Sequence, residues 1–270
     1  MNYGCKLGMH SSNIIAYADD IVILAPSMAS LQILVDAAAF ESKKVMLNFN
    51  TEKSKYMVFK HRRQGNVGFC RILMNGSDLE QVESFRYLGF ILTRDMSNSD
   101  DIARARQKFY SDFNCLLRKF YFADPSVKVF LFKQFCLQLY GSDLWFPNTK
   151  TLTALKQFGV GYHKAIKKIL GLSYHESNHY VCQEASLLTF QHLVNKKKID
   201  TALRVFVNPC TFIKKLNYFF IISSEFLRDV RDICLDIYEI EMLFEQDRDA
   251  VTSRIQFVQN HEDQMRRGLE

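Results

Sequence analysis

Glycine and proline are scarce, at 11 and 4 of 270 residues. That excludes a collagen-like repeat or a low-complexity linker and favours long uninterrupted helices. Tryptophan occurs once. No run of about 18 uncharged apolar residues is present, so no membrane-spanning helix is expected. The opening, Met1-Asn2-Tyr3-Gly4-Cys5-Lys6, lacks the basic-then-apolar layout of a secretory signal. The seven cysteines (5, 70, 115, 136, 182, 210, 234) are far apart and form no Cys-x-x-Cys pair. They read as reduced thiols filling the core of an intracellular protein, nuclear or cytoplasmic, and not as a disulfide scaffold. Charge imbalance is slight as well: +6 at neutral pH permits contact with a polyanion without demanding it.

What is present is a globular composition, 48% hydrophobic and 13% aromatic, in a chain long enough for two domains. The pattern changes near residue 96. Before it, short β-rich runs alternate with turns. These are Asn13 to Ala25, interrupted only by Asp19-Asp20, then Tyr56 to Phe59, a hairpin from Ile72 to Val82 turning at Asn75-Gly76, and a strand from Phe85 to Leu92. One helix, from about Ser30 to Lys44, interrupts them, with Leu31, Leu34, Val35, Ala38 and Val45 at helical spacing. After residue 96 the periodicity is helical. Ser99 or Asp100 is expected to cap a helix carrying Ile102, Phe109, Phe113, Leu116 and Phe120. Asp124-Pro125 opens a second helix to about Tyr140, and a third runs from about Leu152 to a stop at Gly171. Leu155, Phe158, Tyr162, Ile166 and Ile169 form its apolar face. The fold class read from this is α+β: a small antiparallel sheet with a helix over 1–96, a helical region over 97–205 and a helical extension over 206–270. The extension is rich in acids (Asp229, Asp232, Asp236, Glu239, Glu241, Glu245), a face that would repel nucleic acid.

The informative motif is Tyr17-Ala18-Asp19-Asp20 between Ile14-Ile15-Ala16 and Ile21-Val22-Ile23-Leu24. It reads as strand, turn, strand. An Asp-Asp pair at a turn can be a plain hydrophilic tip. Between buried strands it needs neutralising, which a hard divalent cation such as Mg²⁺ does through carboxylate oxygens. The stretch Asn13 to Ser27 strongly resembles the catalytic hairpin of reverse transcriptases from non-LTR retrotransposons. Asn50-Thr51-Glu52-Lys53-Ser54-Lys55 is similar to that family's Asn-x-x-Lys-Thr segment, and Tyr87-Leu88-Gly89 to the strand turn that supports the primer end. Tyr162 to Leu172 resembles a segment after the thumb begins. Met46 departs from the family, which has Gly after the palm helix. Here Met46 must leave the helix another way or accept about 1–2 kcal/mol in the left-handed region.

The resemblance implies a partial polymerase palm followed by an all-helical, thumb-like region, with RNA template, DNA primer and dNTPs as partners and Mg²⁺ as cofactor. It implies that Asp19 and Asp20 hold metal while the primer 3′-hydroxyl attacks the α-phosphate. Lys53, with Lys55 as the alternative, would protonate the departing pyrophosphate. Tyr17, Tyr87, Leu88 and Gly89 would lie along the primer, Gly89 by permitting close backbone approach. Lys156, Lys164, Lys167 and Lys168 would contact phosphates. A complete palm also has a carboxylate on an earlier strand and a Gly-containing nucleotide pocket, and the residues before Tyr17 are too few for either. The earlier palm and the fingers are therefore expected to be missing, and the metal site to be weak. The chain alone is then not expected to polymerise, and its sheet should have an exposed edge. The competing readings are a non-catalytic nucleic-acid-binding remnant and an unrelated metal-dependent phosphodiesterase built on Asp19 and Asp20.

Other cues are weaker. His175, His179 and Cys182 have metal-compatible spacing, but a structural zinc takes four ligands, and ordinary packing is the simpler reading. Lys196-Lys197-Lys198 and Lys214-Lys215 read as solvated faces. Trp145 and Tyr218-Phe219-Phe220 read as helix core.

Overall fold

The computed structural model describes residues 3–7, 10–59, 71–145 and 149–207. The chain divides into two units, Met1–Met96 and Ser97–Glu270.

The first unit is built from two-stranded pairings. β1 (Cys5–Leu7) pairs with β2 (His10–Ser12), and β3 (Ile14–Tyr17) pairs antiparallel with β4 (Asp20–Ile23). Helix α1 (Met28–Lys44) follows, capped by the Ser27 hydroxyl, which accepts from the Ser30 amide at 3.2 Å. The helix ends with Met46 at φ 57° and the Leu47 amide donating to the Ser42 carbonyl at 2.9 Å. Met46 thus takes the left-handed position that the family gives to glycine, and its side chain stands 90% exposed. Strand β5 (Lys55–Tyr56) pairs in parallel with β8 (Glu80–Gln81), while β6 (Leu73–Met74) and β7 (Ser77–Asp78) form a hairpin. Asn75 and Gly76 both have positive φ, as the Asn-Gly turn predicts. Val35, Tyr56, Ile72, Met74 and Leu79 form the core, with Ile23, Met28, Leu31 and Phe49 packed against it. Gln32 ties α1 to β6: its carboxamide donates to the Leu73 carbonyl and accepts from the Leu73 amide, both at 2.8 Å.

The second unit is helical: α2 (Ser99–Lys119), α3 (Pro125–Phe135), α4 (Thr149–Leu170), α5 (Asn178–Glu184) and α6 (Phe190–Val207), with a 3₁₀ turn at Ser142–Leu144. The apolar faces expected of the first and third of these helices are buried, except that Phe120 lies just past the end of α2 and is exposed. Phe109, Phe132, Phe158, Tyr162 and Phe190 meet in one aromatic cluster. Gly161 of α4 faces the Tyr110 hydroxyl of α2, which a Cβ at this position would displace. Asp101 is fully buried. The Trp145 indole donates to its Oδ2 at 2.9 Å, and Arg104 Nε donates to its Oδ1 at 2.8 Å. Burial holds the Cys136 and Cys182 thiols up, at about 12 and about 11, so neither is a ready nucleophile.

Several expectations need correction. Phe85 to Leu92 is not one strand but a hairpin of β9 (Ser84–Tyr87) and β10 (Phe90–Thr93), turning at Leu88 and Gly89, both with positive φ. Leu79 continues the Asn-Gly hairpin by one bond, its amide donating to the Ile72 carbonyl at 2.8 Å, but Glu80 and Gln81 then cross to β5. The cap position of α2 is Asn98, not Ser99 or Asp100, and its side chain makes no capping bond. Asp124 does cap α3, accepting from the Ser126 amide and hydroxyl, and these bonds hold its carboxyl below the usual range. That helix stops at Phe135, short of Tyr140. Lys198 is buried, not solvated. The acidic extension, Lys214-Lys215 and Tyr218-Phe219-Phe220 lie outside the described residues.

Candidate functional site

The hairpin of β3 and β4 presents the paired aspartates. Register sets Ile15 opposite Val22, Ala16 opposite Ile21 and Tyr17 opposite Asp20, leaving Ala18 and Asp19 as a two-residue turn. The Leu24 amide donates to the Asn13 carbonyl at 2.8 Å and extends the ladder. Ala18 holds φ 52°, a conformation that costs an L-residue about 1–2 kcal/mol. Asp19 is therefore at the tip and Asp20 opens β4, sharing a side of the ladder with Tyr17. Both carboxylates are exposed.

The hairpin is apolar on both faces. Ile15 and Tyr17 share one side and Ile14 and Ile21 the other, and these four are 47%, 65%, 53% and 43% exposed. Ile23 anchors the far end of the hairpin against the core, while the apolar residues nearer the aspartates stay open to solvent on both faces.

Mg²⁺ would take the Asp19 and Asp20 oxygens by preference. Among the described residues, however, no group of three or more His, Cys, Asp or Glu side chains stands where it could hold a metal. Two carboxylates from one hairpin fall short of the donor set of a two-metal centre. The metal-compatible spacing of His175, His179 and Cys182 likewise gives no metal-binding group among the described residues. Cys182 is buried in α5, His179 is exposed on the same helix, and His175 is exposed in the preceding loop.

Lys53 sits in a turn that Asn50 organises: the Asn50 side chain accepts from the Lys53 amide at 3.0 Å, and the Asn50 carbonyl accepts from the Ser54 amide at 3.0 Å. The Lys53 side chain is exposed and has no ion pair among the described residues. Lys55 is committed elsewhere, with its ammonium 2.6 Å from Glu80 Oε2. The two lysines are thus distinguished by structure where spacing left them equivalent. Tyr87, Leu88 and Gly89 form the β9–β10 turn, and positive φ (83°) is what Gly89 supplies there. The Tyr87 hydroxyl is buried with no hydrogen-bond partner among the described residues.

In the second unit, Lys156, Lys164, Lys167 and Lys168 fall on one face of α4, at i, i+8, i+11 and i+12. The helix contains Lys150 as well and no acidic residue. None of those four forms an ion pair among the described residues. His163 lies beside this face, partly buried, with Nε2 lacking a partner among the described residues. Burial is the main cause holding its pKa below 6.5, with Lys167 adding to the effect. A folded-state pKa below the unfolded value means that the unfolded chain binds the proton more readily. Stability of this unit should be fully present above about pH 6.5 and fall as pH drops below it. In His163→Gln this part of the pH dependence should vanish, read from the difference in urea midpoints between pH 7.5 and pH 5.

With the geometry in place, the comparisons with known proteins divide the chain. Residues 3–92 match the family model described as reverse transcriptase (RNA-dependent DNA polymerase). That span holds the Asp19-Asp20 hairpin, the Lys53 turn and the β9–β10 turn. No curated protein matches the chain. Among the described residues no helix is long and apolar enough to cross a membrane.

Proposed function

We propose that the chain carries the later part of a reverse transcriptase domain of the non-LTR retrotransposon type, and that these residues alone do not polymerise. One observation carries this reading: a Tyr-Ala-Asp-Asp sequence turns at the tip of an antiparallel hairpin, inside the segment that matches the reverse transcriptase family. In this reading the first unit is a partial palm and the helices from α2 onward are thumb-like. Asp19 and Asp20 are its metal-binding carboxylates. Lys53 is the lysine that faces the nucleotide phosphates, supported by the pairing of Lys55 with Glu80. Tyr17, Tyr87, Leu88 and Gly89 lie along the primer. The exposed Ile14, Ile15, Tyr17 and Ile21 of the β3–β4 hairpin fit a palm that further strands complete, with another carboxylate among them. RNA template, DNA primer and dNTPs are the partners and Mg²⁺ the cofactor.

The test is nucleotide incorporation on a defined RNA template with a DNA primer, dNTPs and Mg²⁺. The chain alone should give none above background. Fused behind the earlier palm and fingers of a related element, it should incorporate nucleotides, and Asp19→Asn should abolish this. Robust incorporation by the chain alone, lost in Asp19→Asn, would defeat the claim of inactivity. A fusion whose activity ignores Asp19 would defeat the assignment of the site.

A second reading is favoured by α4, whose exposed lysines have no acidic counterweight on the same helix. In it the chain binds nucleic acid through Lys156, Lys164, Lys167 and Lys168 without catalysis. Binding to an RNA–DNA hybrid in the absence of Mg²⁺, weakening steeply with salt, with no incorporation even in the fusion, would establish this reading over the first.

A further inference from the structure

Beyond the end of α4 stands a side chain that neither reading uses. Tyr174 follows the helix stop at Gly171 and is 66% exposed. The ammonium of Lys164 lies 5.4 Å from its ring centroid and that of Lys167 lies 5.8 Å from it. Lys167 also donates to the Tyr174 carbonyl at 3.1 Å, so the loop is fastened to the helix by the backbone and the ring is left open to solvent. The His175 ring meets the Tyr174 ring edge-on at 5.5 Å. An exposed aromatic ring with two ammonium groups close by, at the end of a lysine row, answers the two things an unpaired strand offers a protein: a base to stack and a phosphate to neutralise.

We infer that Tyr174 is a stacking platform for an unpaired nucleobase, with Lys164, Lys167 and the neighbouring Lys168 holding the phosphates of the same strand. This rests on the reading that the α4 lysine face binds nucleic acid. It adds a residue and a substrate class, single-stranded RNA or DNA, because bases inside a duplex are already stacked and cannot offer a face to the ring. The alternative role for Tyr174 is to cover the end of α4, and that role would not distinguish single strands from duplex.

The experiment is fluorescence anisotropy with the full chain and three labelled probes: oligouridylate, oligothymidylate and a blunt RNA–DNA hybrid. Tyr174→Ala should weaken single-strand binding about tenfold and leave the hybrid within about twofold. Tyr174→Phe keeps the ring and should bind as the wild type does. The RNA and DNA single strands together show which sugar is preferred. Lys164→Gln/Lys168→Gln should weaken all three probes. If that double variant weakens binding while Tyr174→Ala leaves both single strands unchanged, the platform is refuted and the lysine face stands. If the double variant binds every probe as tightly as the wild type, the underlying reading fails and the platform with it. Unchanged Trp145 fluorescence in Tyr174→Ala confirms that its fold is intact, and Tyr174→Leu, which fills the site without a π-face, should bind as weakly as the alanine variant.

Discussion

Asp101→Ala is expected to lower the unfolding free energy of the helical unit by about 3–5 kcal/mol, the cost of removing one partner from a buried ion pair. Asp101 has no exposed surface and serves two donors at once, the Trp145 indole and Arg104 Nε. Truncation leaves the guanidinium without its counter-charge and the indole N–H without an acceptor. Asp101→Asn keeps an acceptor for one donor and should cost less than the alanine variant. Trp145 is the only tryptophan in the sequence and is fully buried, so its emission reports unfolding of this unit. Urea titrations followed at that residue measure the loss. A cost below about 1 kcal/mol for Asp101→Ala would show that the buried carboxylate contributes nothing net.

Phe158→Ala should destabilise the same unit by a similar amount, about 3–5 kcal/mol, by a different route. Phe158 is fully buried, and its ring centroid lies 5.3 Å from that of Phe109, 4.6 Å from Phe190 and 6.4 Å from Trp145. Its removal deletes apolar burial and leaves a hole lined by stiff rings that cannot collapse into it. Phe122, 96% exposed, is the internal control, and Phe122→Ala should change stability by no more than about 0.5 kcal/mol. Equal effects of the two substitutions would mean that the aromatic cluster is not the core of this unit.

Local chemistry made much of the fold legible. The apolar faces of α2 and α4 follow from helical spacing, the Asn75-Gly76 turn from a dipeptide that tolerates positive φ, and the start of α3 from Asp124-Pro125. The β3–β4 hairpin is legible because only a turn accommodates Asp19-Asp20 within an apolar run. The misses have physical causes. Leu88 holds φ 46°, which leucine rarely adopts, so a turn there carries a single glycine as its signal. The β5–β8 pairing is two residues long and joins segments 25 apart, too short and too distant for any periodicity to betray. Asp101 and Trp145 are separated by 44 positions, and nothing local marks an aspartate as the buried partner of an indole. Tyr174 is illegible for a related reason: the lysines beside it read as a helix face, but the ring returns to them only after the chain has turned at Gly171.

Gln32 has a directional consequence. Its amide imitates a neighbouring strand, taking both main-chain groups of Leu73 that would otherwise be offered along the outer margin of the Asn-Gly hairpin. At Leu73 that border is already occupied. A strand that added itself beside Leu73 would first have to displace this side chain and replace both of its bonds.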